Sequence, residues 1–325
     1  MTRQRDAVVD HARRVLSEHV PMSLRRFIRR RRLAFWEFQI GKQKNLEFRV
    51  QPGVRMELYL DSRLSRLIYC GGYEWRERKF LNAFLRQGDI FVDVGANIGL
   101  FTLIAADRVG NNGHVYAFEP CLETYQRLAR NVQLNGLTNV SLHQLALSDS
   151  VCQHRMKTSL DGYDAWNSLG QPIAGSSFAS QIVDSVRWDD FALDHGLVGG
   201  VAIMKIDVEG WETRVLSGGA EVLSRTDAPV LQVEFTEEAS RSAGSSCARL
   251  YETLHALGYE MFTYDAKSRK LIHVSFSERY AYLNLIAAKQ PEEVAARLRN
   301  WSSFGTFGKC VNRIWELSHA RSNPK

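Results

Sequence analysis

Residues 88–120 constrain the fold more than any other part of the sequence. They read GDIFVDVGANIGLFTLIAADRVGNNGHVYAFEP, which is an apolar run, a turn with two glycines, a helical pattern and a second apolar run. A strand, turn, helix and strand in this succession form the opening of a βαβ unit. Parallel strands joined in this way occur in sheets covered by helices on both faces. The segment therefore predicts a doubly wound α/β fold.

The turn and the end of the second strand predict where a ligand binds. Gly95 and Gly99 have no side chain and would let the backbone pass close to a bound molecule. A helix that starts near Asn97 directs its unpaired amides and positive dipole end toward an anionic group. Glu119 ends the second strand, where an acidic side chain can accept hydrogen bonds from both hydroxyls of a ribose, and Pro120 stops the strand there. These features predict a nucleotide-containing cofactor.

Asp93 and Ala96 are expected to contact the same cofactor, because they lie inside the first strand and in its turn. Each part of the motif also has a purely structural interpretation. Asp93 alone would be explained by bonds to nearby loop amides, and Gly99 alone by close packing of the helix on the strand. The combination of all the parts favours the cofactor.

The spacing of the glycines separates two kinds of cofactor. Dinucleotide-binding turns have a middle glycine that lets a pyrophosphate approach, and Asn97 occupies that position here. A ligand with a ribose, a charged amino-acid tail and no phosphate fits better. S-adenosylmethionine has these features and is the expected cofactor. The alternative enzyme is a NAD-linked oxidoreductase, which Asn97 and the lack of a clear hydride-transfer constellation disfavour.

Two other segments are expected beside the cofactor. The third predicted strand, residues 140–147, ends next to Glu119, so Ala146 to Asp149 would lie where an adenine ring packs on an apolar surface. Glu74 shortly precedes the first core strand and would cap the site. A carboxylate that only stabilises a helix start is the alternative for Glu74.

A second acidic cluster follows the fourth predicted strand. In a doubly wound sheet, strands one and four are neighbours, and ligands bind outside their carboxyl ends. Asp207 and Glu209 are therefore expected at the mouth of the cofactor site, with Lys205 on the face shared with Asp207. Methyl transfer to oxygen needs an aligned acceptor and a group that takes the hydroxyl proton, so these two acids are the expected catalytic pair. Alternatively, Asp207 only anchors the methionine amino group and Glu209 caps the next helix.

Two histidines compete for the role of base. His143 lies within a predicted strand, where a packed histidine is more common, and His195 lies in a loop next to Gly196, where it would simply be solvated. No metal is expected, because no histidine-containing ligand spacing accompanies the carboxylates, although carboxylates alone can bind one.

The basic charge of the chain belongs to its N-terminal arm. The first 50 residues contain 13 lysines and arginines against 5 acidic residues, a net +8, whereas the whole chain carries +6. Within residues 22–38 an apolar stripe of leucine, isoleucine and phenylalanine faces a cluster of arginines. The helix would lie on an anionic membrane or bind an acidic partner, or it would pack on the body with its arginines in water. Nucleic acid is disfavoured, because no aromatic platform accompanies the cluster. If this helix binds a membrane, a non-enzymatic scaffold at the membrane surface is a further alternative function.

Composition bounds the compartment and the domain count. A chain of 325 residues with an average apolar fraction can bury one large α/β core with extensions. No apolar run is long enough to span a bilayer, and the N-terminus has no signal-like apolar region. The five scattered cysteines fit unpaired thiols in a reducing cytoplasm, with a peripheral position at the inner membrane face if the arm binds lipid. The oligomeric state cannot be predicted.

The expected organisation has four parts. Residues 1–44 form the basic helical arm, residues 45–87 a hairpin and a helix that cap the body, residues 88–290 the main domain, and residues 291–325 a helical tail. A short polar helix is expected to end at Pro21, and alternating apolar residues over 45–69 predict the hairpin. The Gly/Ser-rich stretch 150–183 is either a mobile lid or an edge hairpin.

Several motifs resemble the FkbM family of S-adenosylmethionine-dependent methyltransferases, and the similarity covers roughly residues 70–287. The motifs are FVDVGANIG at 91–99, AFEP at 117–120, ALSD at 146–149 and, most specific, KIDVEGWE at 205–212. Gly72–Glu74, Asn167–Leu169 and Gly258–Tyr259 follow in the expected order. The resemblance implies a Rossmann-like class I methyltransferase with a mostly parallel seven-stranded sheet, and O-methylation of a small-molecule or glycan acceptor, often at a sugar hydroxyl.

The same resemblance implies roles for individual residues. It assigns the cofactor to Asp93, Gly95, Asn97, Gly99 and Glu119, and a place beside the transferred methyl group to Asp207 and Glu209. Trp211 stands where the family often has a small residue such as alanine. Tryptophan is also a common stacking surface for a sugar ring.

Overall fold

The computed structural model of the chain describes residues 22–40, 42, 45–162, 169–170, 177–280 and 282–299. The helix expected before Pro21, two residues of the 167–169 motif and the tail after residue 299 lie outside the described residues.

A large, mostly parallel sheet forms the centre of the molecule. Its order among the described residues is β12-β11-β13-β10-β9-β3-β4-β5. The five strands from β10 to β5 are parallel, β13 runs antiparallel between β10 and β11, and β12 is an antiparallel edge strand. The predicted seven-stranded sheet is thus present, with β12 as an eighth strand. The bounds are β3 Ile90–Val94, β4 His114–Phe118, β5 Val140–His143, β9 Val201–Ile206, β10 Val230–Phe235, β11 Glu260–Asp265, β12 Lys270–His273 and β13 Leu283–Ala288.

Helices cover both faces of this sheet, as the near-continuous apolar strands require. One core contains Phe91 and Ile203 together with α3 and α4, and the other contains Met204 and Leu231 together with α6, α7 and α10. The helices are α1 Met22–Ile40, α2 Arg63–Cys70, α3 Trp75–Phe84, α4 Leu100–Val109, α5 Leu122–Leu134, α6 Trp188–Asp194, α7 Glu212–Gly218, α8 Ala220–Ser224, α9 Glu237–Ser242, α10 Cys247–Ala256 and α11 Pro291–Arg299.

The predicted hairpin is shorter than the alternating pattern suggested. Strands β1 (Leu46–Gln51) and β2 (Val54–Leu58) pair antiparallel, but helix α2 follows where alternation was expected to continue. The side chain of Ser62 caps α2 by accepting a hydrogen bond from the Ser65 amide. The hairpin packs on α5, where the Glu57 amide donates to Asn131 Oδ1 at 2.7 Å. It shares one core with the main sheet.

The third predicted strand, residues 140–147, is not continuous. Its first part is β5 in the main sheet, whereas β6 (Ala146–Leu147) turns away and pairs in parallel with β8. Strand β8 (Phe178–Val186) also pairs antiparallel with β7 (Gln153–Ser159), which gives a small sheet of order β6-β8-β7. Of the two alternatives for this region, a lid or an edge hairpin, the structure shows the hairpin. Pairing with β8 places β6 beside the carboxyl end of β4.

Helix α1 docks through a residue outside its predicted stripe. Trp36 is buried and packs on Tyr69 of α2, with ring centroids 5.6 Å apart. The helix thus packs on the body, which was one of the two interpretations, although the residues of its apolar stripe are all exposed. They are Leu24, Phe27, Ile28, Phe35 and Phe38. Among the residues with a described position, no helix is long and apolar enough to cross a membrane.

Candidate active site

A cleft opens where the strand order reverses, between the neighbouring strands β3 and β9. Ligands of doubly wound sheets bind at this position. Several residues predicted for the site line the cleft, namely Gly95, Asn97, Glu119, Pro120, Ala146, Asp207 and Glu209. Among the described lining residues, the other predicted positions are absent, namely Glu74, Asp93, Ala96, Gly99 and Asp149.

Gly95 is required by the protein backbone. A Cβ on Gly95 would lie 1.9 Å from the carbonyl oxygen of Asp207. The amides of Gly95 and Ala96 both donate to the Phe118 carbonyl at 3.0 Å. The turn is therefore fixed against the ends of β4 and β9. Gly99 likewise serves packing, because its Cβ would lie 2.6 Å from a methyl group of Leu128 in α5.

The helix after the turn begins at Leu100, three residues later than expected. Asn97 is in the left-handed region with a φ of 50°, which asparagine tolerates better than most residues. Its amide donates to Glu119 Oε2 at 2.9 Å, and its own Oδ1 accepts from the Ile98 amide at 2.7 Å. These two amides, expected to face an anionic ligand, are thus bonded within the site. The geometry offers a ligand the carboxylate of Glu119 instead.

Glu119 is held rigidly at the end of β4. It is only 5% exposed, and its Oε1 accepts a hydrogen bond from the Cys121 amide at 3.0 Å. The other oxygen accepts the Asn97 amide, so two backbone amides fix the carboxylate at the edge of the cleft. A pair of neighbouring hydroxyls is the ligand group that suits this arrangement.

The wall beside Glu119 is mostly apolar. Ala146 and Leu147 of β6, Met156 of β7 and the ring of Phe118 line it. Asp149, expected here, instead pairs with Arg214 at 2.7 Å.

Trp211 forms the opposite end of this wall. Its indole nitrogen donates to Ser148 Oγ at 3.1 Å, which fixes the ring at the edge of the cleft. The guanidinium of Arg214 lies 4.7 Å from the ring centroid. A fixed indole of this kind can pack on a planar or sugar ring.

Asp93 lies below the cleft and does not line it. It is 1% exposed, and Thr102 Oγ1 donates to its Oδ2 at 2.6 Å. Burial raises the pKa of Asp93, and the charge of Lys205, its register partner on β9, opposes that rise. Asp93 therefore lies beneath the cleft, beside Lys205, and is bonded to the protein.

Lys205 and Asp207 form a buried ion pair at the end of β9. Their side chains are 2.5 Å apart, and the ammonium lies 4.6 Å from the Phe101 ring centroid. Burial lowers the pKa of Lys205, but the charges of Asp207, Glu74 and Asp93 raise it by more, so the pKa lies above its usual value. Lys205 therefore remains charged.

Glu74 meets this ion pair from another element. It precedes α3 in the left-handed region with a φ of 42°, is 9% exposed, and accepts a hydrogen bond from Tyr282 Oη at 3.2 Å. Burial and the charge of Asp207 raise its pKa to about 7, although Lys205 opposes this. Glu74 is also the N-cap residue of α3, although its side chain makes no capping hydrogen bond.

Glu209, which is half-buried, and Glu234, which is buried, complete this group of acids. Burial, followed by the charge of Asp207, raises the pKa of each well above its usual value. Glu209 has a φ of 51°, and the loop that holds it is bonded by Glu212, whose Oε1 accepts the amides of Val208 and Gly210 at 3.1 Å. Glu212 thus fixes the loop between β9 and α7 that carries Glu209.

Sequence reasoning missed Glu234 and Tyr282. Glu234 is the charged residue of strand β10, which pairs with β9. A carboxylate inside a core strand was the sequence signal that could have identified Glu234 as a site residue. Tyr282 precedes β13 and had none, because its contact with Glu74 spans 208 residues.

The two candidate histidine bases lie elsewhere. His143 meets the Phe191 ring edge to face, with centroids 4.9 Å apart, and His195 stacks on the same ring at 3.9 Å. Neither lines the cleft in the described part of the chain. Packing, and not proton transfer, explains both.

The side chains that line and surround the cleft fit S-adenosylmethionine. Glu119 suits the two ribose hydroxyls and the apolar wall suits an adenine ring. The buried acids, which far outnumber the single Lys205 in this cluster of described residues, suit a ligand that carries a sulfonium and an ammonium.

The fold and cleft together define a doubly wound α/β protein with a cofactor site at its switch point. Residues 93–261, just over half of the chain, match the family model described as Methyltransferase FkbM domain. The chain therefore belongs to the FkbM methyltransferase family, and its domain is of the S-adenosylmethionine-dependent kind. The family overturns the NAD-linked oxidoreductase and the non-enzymatic scaffold as descriptions of this domain.

Similar proteins include two named methyltransferases. The chain is 30% identical over 164 residues to the 31-O-demethyl-FK506 methyltransferase FkbM of Streptomyces tacrolimicus, which covers 41% of this chain and 60% of that protein. It is 26% identical over 147 residues to the hexuronic acid methyltransferase AglP of Haloferax volcanii, covering 45% and 56%. The chain thus spans less than two thirds of these relatives' length. A crystal structure of M. jannaschii TYW2 in complex with AdoMet aligns with a TM-score of 0.39 at 15% identity, over 75% of this chain and 84% of that one.

Proposed function

We propose that this protein transfers the methyl group of S-adenosylmethionine to a hydroxyl oxygen, and that the hydroxyl belongs to a sugar in a glycan, a glycolipid or a natural product. One observation carries the proposal. The Glu119 carboxylate at the end of β4 and the carboxylates of Asp207 and Glu209 after β9 line the same cleft.

The residues of the cleft would divide the work between binding and chemistry. Glu119 holds the ribose, and the wall of Ala146 and Pro120 covers the adenine. S-adenosylmethionine supplies an electrophilic methyl group, whose carbon–sulfur electron pair stays on sulfur as the new carbon–oxygen bond forms. Asp207 and Glu209 flank the acceptor hydroxyl. Glu209 takes the proton in its ionised form, because burial raises the pKa of this carboxyl and so makes its carboxylate a stronger base, whereas Asp207 is engaged by Lys205.

A sugar acceptor is supported by two features. The indole of Trp211 is fixed at the edge of the cleft by Ser148, where it can stack on the apolar face of a pyranose ring. In addition, AglP is named a hexuronic acid methyltransferase and FkbM a 31-O-demethyl-FK506 methyltransferase, so relatives with carbohydrate and macrolide acceptors share this domain.

The direct test is transfer of a radiolabelled methyl group. The purified protein is incubated with labelled S-adenosylmethionine and separated glycan, lipid and small-molecule fractions, and the labelled product is hydrolysed to identify the methylated atom. We expect an O-methyl sugar, and no label with Glu209→Gln. Exposed Glu221→Gln is the matched control and should retain transfer. Label on nitrogen or carbon, or equal transfer by Glu209→Gln, would contradict the proposal.

We further propose that α1 holds the enzyme at the inner, anionic surface of a membrane. Its exposed face combines Phe27, Phe35 and Phe38 with arginines at positions 26, 29, 30 and 31. A helix with aromatic residues on one side and arginines around them lies in the headgroup region of anionic lipid. A glycolipid acceptor would be presented at the same surface.

A further inference from the structure

Three carboxylates from neighbouring strands converge at the edge of the cleft. One oxygen from each of Asp207, Glu209 and Glu234 lies within 4.8 Å of the others. Asp207 and Glu209 follow β9, and Glu234 lies on β10, so the backbone pairing of these strands fixes their separation. Like charges at this distance repel strongly in a buried site unless a cation or protons lie between them.

A second observation at the same place comes from a different element. Glu74, before α3, is 9% exposed, and its Oε2 has no hydrogen-bond partner among the described residues. Its other oxygen accepts a hydrogen bond from the Tyr282 hydroxyl. Tyr282 lies two residues before Asn284, which is opposite Glu234 in the sheet. Glu74 therefore points toward the end of β10. The charges of Glu74, Glu209 and Glu234 act on one another there.

Strand β10 provides more unpartnered polar atoms on the same face. Glu234 Oε2 and both amide atoms of Gln232 are buried without a hydrogen-bond partner in the described part of the protein. Gln232 lies two residues before Glu234, so both side chains point to one face of the sheet. Buried polar groups are almost always satisfied, so this group indicates a polar guest such as a hydrated ion. Lys205, the cation beside them, is already paired with Asp207.

We propose that Asp207, Glu209 and Glu234 bind one hard divalent cation, such as Mg²⁺ or Mn²⁺. Oxygen-only ligands of this kind suit hard cations and do not require the histidines whose absence argued against a metal in the sequence. This inference rests on the proposed function, because an ion at the rim of the cofactor cleft would hold the acceptor hydroxyl and lower its pKa. Glu209 would offer one oxygen to the ion, and its other oxygen would take the hydroxyl proton. Glu74 and Gln232 would orient its bound waters.

Binding of Mn²⁺, which Mg²⁺ should displace, tests the site. The free-ion electron paramagnetic resonance signal is recorded as the full chain is titrated with Mn²⁺, without S-adenosylmethionine. We expect one bound ion per chain, and affinity weakened at least about tenfold in Glu234→Gln, because even outer partners of metal ligands matter by that factor. Glu221→Gln, whose carboxylate is 83% exposed, should bind as the parent does. Glu209→Gln is a second variant in case Glu234→Gln does not fold.

The outcomes separate this inference from the methyltransferase itself. Calorimetry with S-adenosylmethionine is run on the same samples. If the cofactor binds but millimolar Mn²⁺ does not, or if both folded variants bind Mn²⁺ as tightly as the parent, the carboxylates share protons and the metal site is refuted. If Mn²⁺ binds while the cofactor does not, the proposed function fails instead.

Discussion

Gly95 joins two strands whose sequence positions are more than a hundred residues apart. Because its missing side chain leaves room for the Asp207 carbonyl, the turn after β3 can lie directly against the end of β9. The same contact places the loop of Glu209 beside the cofactor cleft. Gly95 thus fixes the distance between the cofactor-binding turn after β3 and the loop that carries Glu209.

We expect Gly95→Ala to destabilise the fold by more than about 3 kcal/mol, since a Cβ would lie 1.9 Å from a backbone oxygen that can move only with its strand. Gly136→Ala is the matched control, because Gly136 also has a positive φ, of 61°, but nothing within 4 Å of the added carbon. It should cost only about 1–2 kcal/mol of backbone strain. Urea unfolding followed by circular dichroism measures both, and equal losses would contradict this role of Gly95.

The raised pKa of Glu74 predicts how the stability of the fold depends on pH. Its pKa rises from 4.5 to about 7 on folding, so the folded protein binds the extra proton and stability is lost as pH rises from about 4.5 through 7. Glu74→Gln removes this loss and should raise stability at pH 8 by about 3 kcal/mol, with little change near pH 4.5.

Melting temperatures of both proteins across this pH range, in a chelator and without cofactor, give the measurement. Glu123→Gln, which replaces an exposed carboxylate, should follow the parent curve. Parallel curves for Glu74→Gln and the parent would show that Glu74 is not buried as described.

At the scale of elements, α1 and the strands differ in how well the sequence predicts them. Strands β3, β4, β9 and β10 follow from their apolar runs, and the glycine turn follows from its motif. The apolar stripe of α1 predicted a helix but not its docking face, because Trp36 packs on α2 through a contact that only the tertiary fold creates. Likewise, β6 leaves the main sheet because β8, over thirty residues away, pairs with it.

The exposed face of α1 predicts binding to anionic vesicles. The double variant Phe27→Ser, Phe38→Ser should reduce sedimentation with vesicles of phosphatidylserine and phosphatidylcholine several-fold, because apolar burial supplies part of the affinity. Ile272→Ser, which replaces an exposed apolar residue on β12, is the control and should sediment as the parent does. Equal sedimentation of the double variant and the control would contradict a membrane role for α1.

For the whole molecule, the fold was predictable and the site only in part. The succession of motifs predicts the doubly wound sheet and the neighbours β3 and β9, and from these the positions of Glu119, Asp207 and Glu209. Glu234 and Tyr282 were not predictable, since their roles depend on which strands lie beside β9 and on a contact across the molecule. We propose that residues 88–290 are the catalytic body. The hairpin and α3 are part of its core.

The most direct test of the central claim is calorimetric titration of the protein with S-adenosylmethionine. The parent should bind one equivalent, and Glu119→Ala should weaken binding by at least about tenfold, because the hydrogen bonds of the carboxylate to both ribose hydroxyls are lost. Glu123→Ala, four residues away and exposed, should bind as the parent does. If Glu119→Ala binds S-adenosylmethionine as tightly as the parent, the ribose is not held at the end of β4 and the account is wrong.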